Sequence, residues 1–172
     1  MRFLVSLFWN ICLTRKGPEE VPAQYALIGL LILGKIVFVL LMSLALHTEI
    51  NGLSLTLQVA TWAVVLGLLT ALVLYVRDHF ERFIPTFGAI LGSDLLVTSL
   101  YGAILLGVSV SGAEVSRQLA TALNWIVQFW TMFIVGFIMH RALDLNIGLG
   151  IIVGLIINWF SLAVSVQMAS QT

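Results

Sequence analysis

FGAILGSDLLVTSLYGAILLGVSVSG, residues 87–112, is an apolar run with one carboxylate, Asp94, near its middle. At about 1.5 Å per residue it is long enough to cross the roughly 30 Å of hydrocarbon in a bilayer. A second run, YALIGLLILGKIVFVLLMSLALH (residues 25–47), carries one amine, Lys35. An ionisable side chain inside a membrane span is costly and needs a partner or a polar cavity. Lys35 and Asp94 are the only charged residues within the apolar runs, and their signs are opposite.

The rest of the chain agrees with a membrane solvent. Of 172 residues, 60% are hydrophobic and 9% charged, and mean hydropathy is +1.10. Soluble domains are about 45–50% apolar and about 25% charged, so a soluble globular domain is excluded. Eight basic residues balance eight acidic ones, which gives nucleic acid no basic surface to bind. A single cysteine, Cys12, allows neither an internal disulfide nor a cysteine-based zinc site. It reads as a small apolar filler before a lipid-attachment site.

Working outward from residues 87–112, the hydropathy pattern predicts an all-α, polytopic transmembrane bundle of five helices in one domain. The spans fall at residues 25–47, 55–76, 84–108, 119–139 and 147–168. Their short connections make each helix antiparallel to the next. Residues 1–14 carry Arg2, Ser6, Asn10 and Thr14 at intervals of four, one polar stripe on an otherwise apolar helix too short to span. An interfacial amphipathic helix is expected there, with Phe8 and Trp9 as anchors and no cleavage after it. RKGPEEVPAQ then breaks the chain at Gly17-Pro18 and Pro22, with Pro22 at the start of a helical turn and Glu19 and Glu20 near its positive end.

Outside the spans, Arg2, Arg15, Lys16, Arg77, Arg82 and Arg141 share one side, and Arg117 stands alone on the other. That bias predicts a cytoplasmic N-terminus and an external C-terminus. In this topology Lys35 and Asp94 lie at one depth, about 15 Å from the cytoplasmic end. Gln128 on the fourth span and Asn158 on the fifth fall at the same level. Two readings follow. Lys35 and Asp94 could form a structural ion pair whose spare hydrogen-bonding capacity the two amides satisfy. Alternatively, the four could line a site for a proton, an ion or a polar head group.

Thr98 and Tyr101 continue the Asp94 face outward. Gly88 and Gly92, and again Gly150 and Gly154, form G-x-x-x-G pairs that let helix backbones approach closely; packing within the bundle is expected before dimerisation. Trp125 and Tyr25 read as belt residues, whereas Trp130 and Trp159 are deeper and are expected near Gln128 and Asn158. No catalytic, phosphate-loop or metal motif occurs, so neither an enzyme nor a cofactor is expected. His47, His79 and His140 fall at span ends or in loops, where solvated residues are expected.

A Gly-Pro in the N-terminal segment RKGPEE, five close spans and an NWIVQFWTMFIVGFIMHRALDLNIGLGIIVGLIINWFSLAV ending (Asn124–Val164) resemble the Yip family of membrane proteins, and its prokaryotic members above all. The resemblance implies a multi-pass protein of a bacterial cytoplasmic (inner) membrane, embedded in lipid, and carries no functional residue with it. Because nearly every residue is helix and the loops are short, the first functional expectation is a non-enzymatic scaffold or accessory subunit. It would have a membrane-protein partner or form a homo-oligomer. The alternative is a small transporter or channel that uses the midplane polar set.

Overall fold

A computed structural model of the chain describes residues 2–46, 51–110 and 117–169. Residues 1, 47–50 (His47 among them), 111–116 and 170–172, and the side chain of Arg117, lie outside the described residues. The protein is an all-α bundle: α1 (Arg2–Cys12), α2 (Tyr25–Ala45), α3 (Gly52–Val76), α4 (Phe83–Val110), α5 (Arg117–Ala142) and α6 (Ile147–Ala169). Helices α2 to α6 are each long and apolar enough to cross a membrane.

The span helices are apolar over most of their circumference, as helices in lipid require, with their few polar side chains turned toward the bundle. Their outer faces expose Leu33 and Leu41 on α2, Leu68 and Leu72 on α3, and Ile126 and Phe129 on α5. Inward, Leu66, Leu74, Ile90, Ile134 and Ile138 are almost fully buried. Each span packs chiefly on two others, in the order α2–α3–α6–α5–α4 and back to α2. The five therefore form a closed ring around one axis.

Small residues set the closest crossing. A methyl group on Gly154 would lie 2.6 Å from the Gly136 nitrogen, and one on Gly150 would lie 2.7 Å from the His140 Cα. The α6 glycine pair is thus the seat of α5, within the bundle. The α4 pair seats the N-terminal segment instead: Phe8 covers Gly92 and Val21 covers Gly88. Phe8 is consequently buried against α4 and is no lipid anchor, although Trp9 does face outward. Helix α1 keeps its amphipathic character, with Leu7, Phe8, Ile11 and Cys12 buried on one face and Val5, Trp9 and Leu13 exposed on the other.

Helix ends follow local chemistry. Asn51 caps α3, its side-chain oxygen accepting from the Leu53 N–H at 3.1 Å, so the helix starts earlier than hydropathy suggests. Pro85 sits in the first turn of α4, where its missing N–H is harmless. Pro22 lies in extended chain ahead of Tyr25 rather than inside a helical turn. Glu19 and Glu20 belong to a separate 3-10 turn (Pro18–Glu20) and pair with Arg141 and Lys16. Three helices end with non-glycine residues in the left-handed region, Thr14, Asp78 and Asp144. Each is closed by a bond to the carbonyl five residues back, as from Leu145 N–H to His140 (3.1 Å) and from His79 N–H to Leu74 (2.9 Å).

Candidate functional site

Near the bundle's mid-depth, α2 and α4 bring Lys35 and Asp94 together as an ion pair between Lys35 Nζ and Asp94 Oδ2. Their side chains are only 13% and 11% exposed. Lys35 Nζ also lies 3.7 Å from the centroid of the Trp62 ring on α3, which is itself buried. The ammonium is thus held between a carboxylate and an indole face, and a cation over an indole gains about 2 kcal/mol or more when desolvated. The charges are compensated inside the bundle.

Gln128 and Asn158 do not bond to this pair. Both line a cavity of about 250 Å³ whose floor is Lys35 and Asp94, and every span contributes to its wall. From the pair, the wall rises through Thr98 and Tyr101 on α4 to Gln58 near the start of α3 and Asn124 near the start of α5. The cavity therefore runs from mid-depth toward the end of the bundle that carries the C-terminus. Below the pair the axis is closed by Ile90, Ile134 and Ile138, each at most 1% exposed.

The polarity of this cavity is unmatched by the protein. Asn158 is 3% exposed, yet among the described residues no hydrogen bond reaches its amide. Gln128 likewise has no protein partner among them. Neither amide is among the fully buried unpartnered atoms, so both reach the cavity space. Thr131 on α5 and Ser161 on α6, by contrast, spend their hydroxyls on carbonyls of their own helices. The two amides are left for whatever enters the cavity.

Sequence reasoning missed Trp62, Gln58 and Asn124 as members of this site. Gln58 and Asn124 were legible as amides at matching outer depth; Trp62 was not, because a tryptophan in an apolar span carries no sign of which face it occupies. Trp159 is not in the cluster. One residue on from Asn158, it points outward and is 48% exposed. Trp130 does find a partner, its Nε1–H donating to the Cys12 carbonyl at 3.4 Å. Cys12 packs with its Sγ 3.8 Å from the Ser93 carbonyl, and burial, with the Asp94 charge second, pushes its thiol up to about 11. It is a filler, as expected.

A larger cavity, about 690 Å³, lies at the opposite end among Pro18, Arg82, His140, Arg141 and Asp144. What separates the two is that the smaller holds the amides of Gln128 and Asn158 without protein partners among the described residues, whereas the charged groups of the larger pair with one another. Arg82 donates to Asp144 (2.8 Å) and Arg141 pairs with Glu19 (3.3 Å). His79 lies 3.3 Å from the same Asp144 carboxylate, and His140 Nδ1 bonds to the Leu145 carbonyl. Arg82 holds the Asp144 carboxyl below its ordinary range. The clasp therefore stabilises the loops above the ordinary carboxylate pKa and is lost as pH falls through the depressed one. The hydroxyls of Thr70 and Thr86 are buried without partners, and Thr86 borders this larger cavity.

Compared with family models, curated proteins and solved structures, the chain gives no match.

Proposed function

We propose that this protein binds a small polar solute in the cavity between its five spans and passes it across the membrane without chemical change. One observation carries the proposal: Asn158, nearly fully buried and without a protein partner, faces a cavity floored by a charge pair. A purely structural pair would draw the two amides onto itself, and they stand apart from it. Among the described residues, the apolar packing below the pair leaves the cavity to open away from it, the arrangement expected of one state of an alternating-access carrier. We place the N-terminus in the cytoplasm and the C-terminus outside a bacterial cytoplasmic membrane, on the six-to-one excess of Lys and Arg outside the spans. The cavity then faces outward. The Yip resemblance rests on the same five-span pattern and adds no residue to this reading.

The scaffold reading keeps one observation in its favour: α2 buries only Leu27 and Leu31, leaving a broad apolar face for lipid or another helix. The two readings separate in proteoliposomes. Solute-driven swelling, followed by light scattering with small amides and amino acids, should exceed that of protein-free vesicles. Asp94→Asn and Asn158→Leu should each slow it about 10- to 100-fold, the effect of losing one hydrogen bond to a charged or buried group. Folded, inserted protein that swells no faster than empty vesicles would favour the scaffold.

A further inference from the structure

We infer that the solute taken by this cavity is a small zwitterion, one cationic and one anionic group on a frame of a few atoms. This rests on the reading of the cavity as a solute site and names its substrate class.

The floor presents two opposite charges side by side, Lys35 from α2 and Asp94 from α4, with Trp62 against the ammonium. A lone anion bound to Lys35 would leave Asp94 unpaired in a low-dielectric site, and a lone cation on Asp94 would leave Lys35 so. Either result imports net charge into the middle of a bilayer, which is costly. A zwitterion avoids this. Its anionic end takes Lys35, its cationic end takes Asp94, and the site stays neutral before and after the exchange. Displacing Lys35 from Trp62 also frees an indole face, to which ligand ammonium groups bind well.

The amides complete the match. Gln128 and Asn158 each offer both donor and acceptor, suited to the leftover hydrogen-bonding atoms of either end of such a ligand. Volume bounds the frame: about 250 Å³ lies a little below the roughly 300–1,000 Å³ usual for drug-sized ligand pockets. A volume of that order suits an amino acid or a betaine.

The test is thermal unfolding of the detergent-purified full chain against matched probes. β-Alanine and glycine betaine supply the zwitterions, propionate the anion, ethylammonium the cation and propionamide the uncharged isostere. The zwitterions should raise Tm by several degrees at concentrations well above Kd, and the single-charge probes should not. Asn158→Ala, which leaves the charge pair intact, should raise the zwitterion concentration needed for a given Tm shift about tenfold. Lys35→Leu/Asp94→Leu, which removes both charges together, should stay folded and lose the response altogether. If propionamide stabilises as well as β-alanine does, the cavity binds solutes but not zwitterions, and this inference alone falls. If no probe shifts Tm, the inference and the solute-site reading fall together.

Discussion

Lys35→Leu and Asp94→Leu, made singly, should each cost about 3–5 kcal/mol of stability, while the double substitution should come close to wild type. The reason is desolvation. Either single change leaves the other charge at mid-depth, with a side chain now little more than a tenth exposed and no counter-ion beside it. Removing both charges removes the debt together with the attraction, and replacing a buried pair by apolar groups is often nearly neutral. Contact residues couple in this way, whereas distant sites add. Trp62 sharpens the prediction: Asp94→Leu leaves Lys35 on the indole face, so it should be the milder of the two. Unfolding midpoints of the purified variants measure the cycle. A double variant as poor as the sum of the singles would mean that the two side chains do not meet.

The second large effect concerns glycine. Substitution to alanine should rank Gly154 first, Gly92 second, Gly88 third and Gly29 last. At Gly154 the new methyl meets Gly136 backbone atoms at 2.6 and 2.7 Å, and no side chain can turn aside to make room. Helices α5 and α6 must separate, and overpacking of this kind costs about 1–3 kcal/mol, sometimes more. At Gly92 the methyl meets the Phe8 ring at 2.3 Å, which can swing away at the expense of α1 docking. At Gly88 the nearest atom, Val21 Cγ1 at 3.3 Å, has only to shift slightly. At Gly29 nothing lies within 4 Å, so alanine should be neutral or stabilise by up to about 1 kcal/mol through helix propensity. Melting temperatures of the four variants decide the order. A Gly154→Ala protein as stable as Gly29→Ala would remove the close α5–α6 crossing.

The five spans were legible because lipid imposes one requirement, about 20 apolar residues per crossing, that hydropathy reads directly. Their ends were less so. Helix α3 starts at Gly52 because Asn51 caps it, and α5 runs on to Ala142 because His140 still packs against Gly150. The common depth of Lys35 and Asp94 followed from helical rise and antiparallel order alone, and the ion pair is where that arithmetic places it. What the sequence could not show is the ring order α2–α3–α6–α5–α4. Helices apolar over most of their circumference carry no stripe that marks a neighbour. For the same reason Trp62 could not be assigned to Lys35, nor Phe8 to Gly92. The amides were seen at their level, but their standing apart from the charges, on the wall of one cavity, needed three dimensions.

Whether the mid-depth cavity takes in water is tested most directly by cysteine accessibility in intact cells. Cys12→Ala removes the one native thiol, and single cysteines are then placed at Gln128, Asn158 and Ile138. A membrane-impermeant thiol reagent, which needs water and a thiolate to react, is added from outside. Gln128→Cys and Asn158→Cys should be labelled, and Ile138→Cys, in the closed apolar segment, should not. If the variants at 128 and 158 are as inert as the one at 138 from both faces of the membrane, the cavity does not exist and the midplane polar residues only hold the helices together.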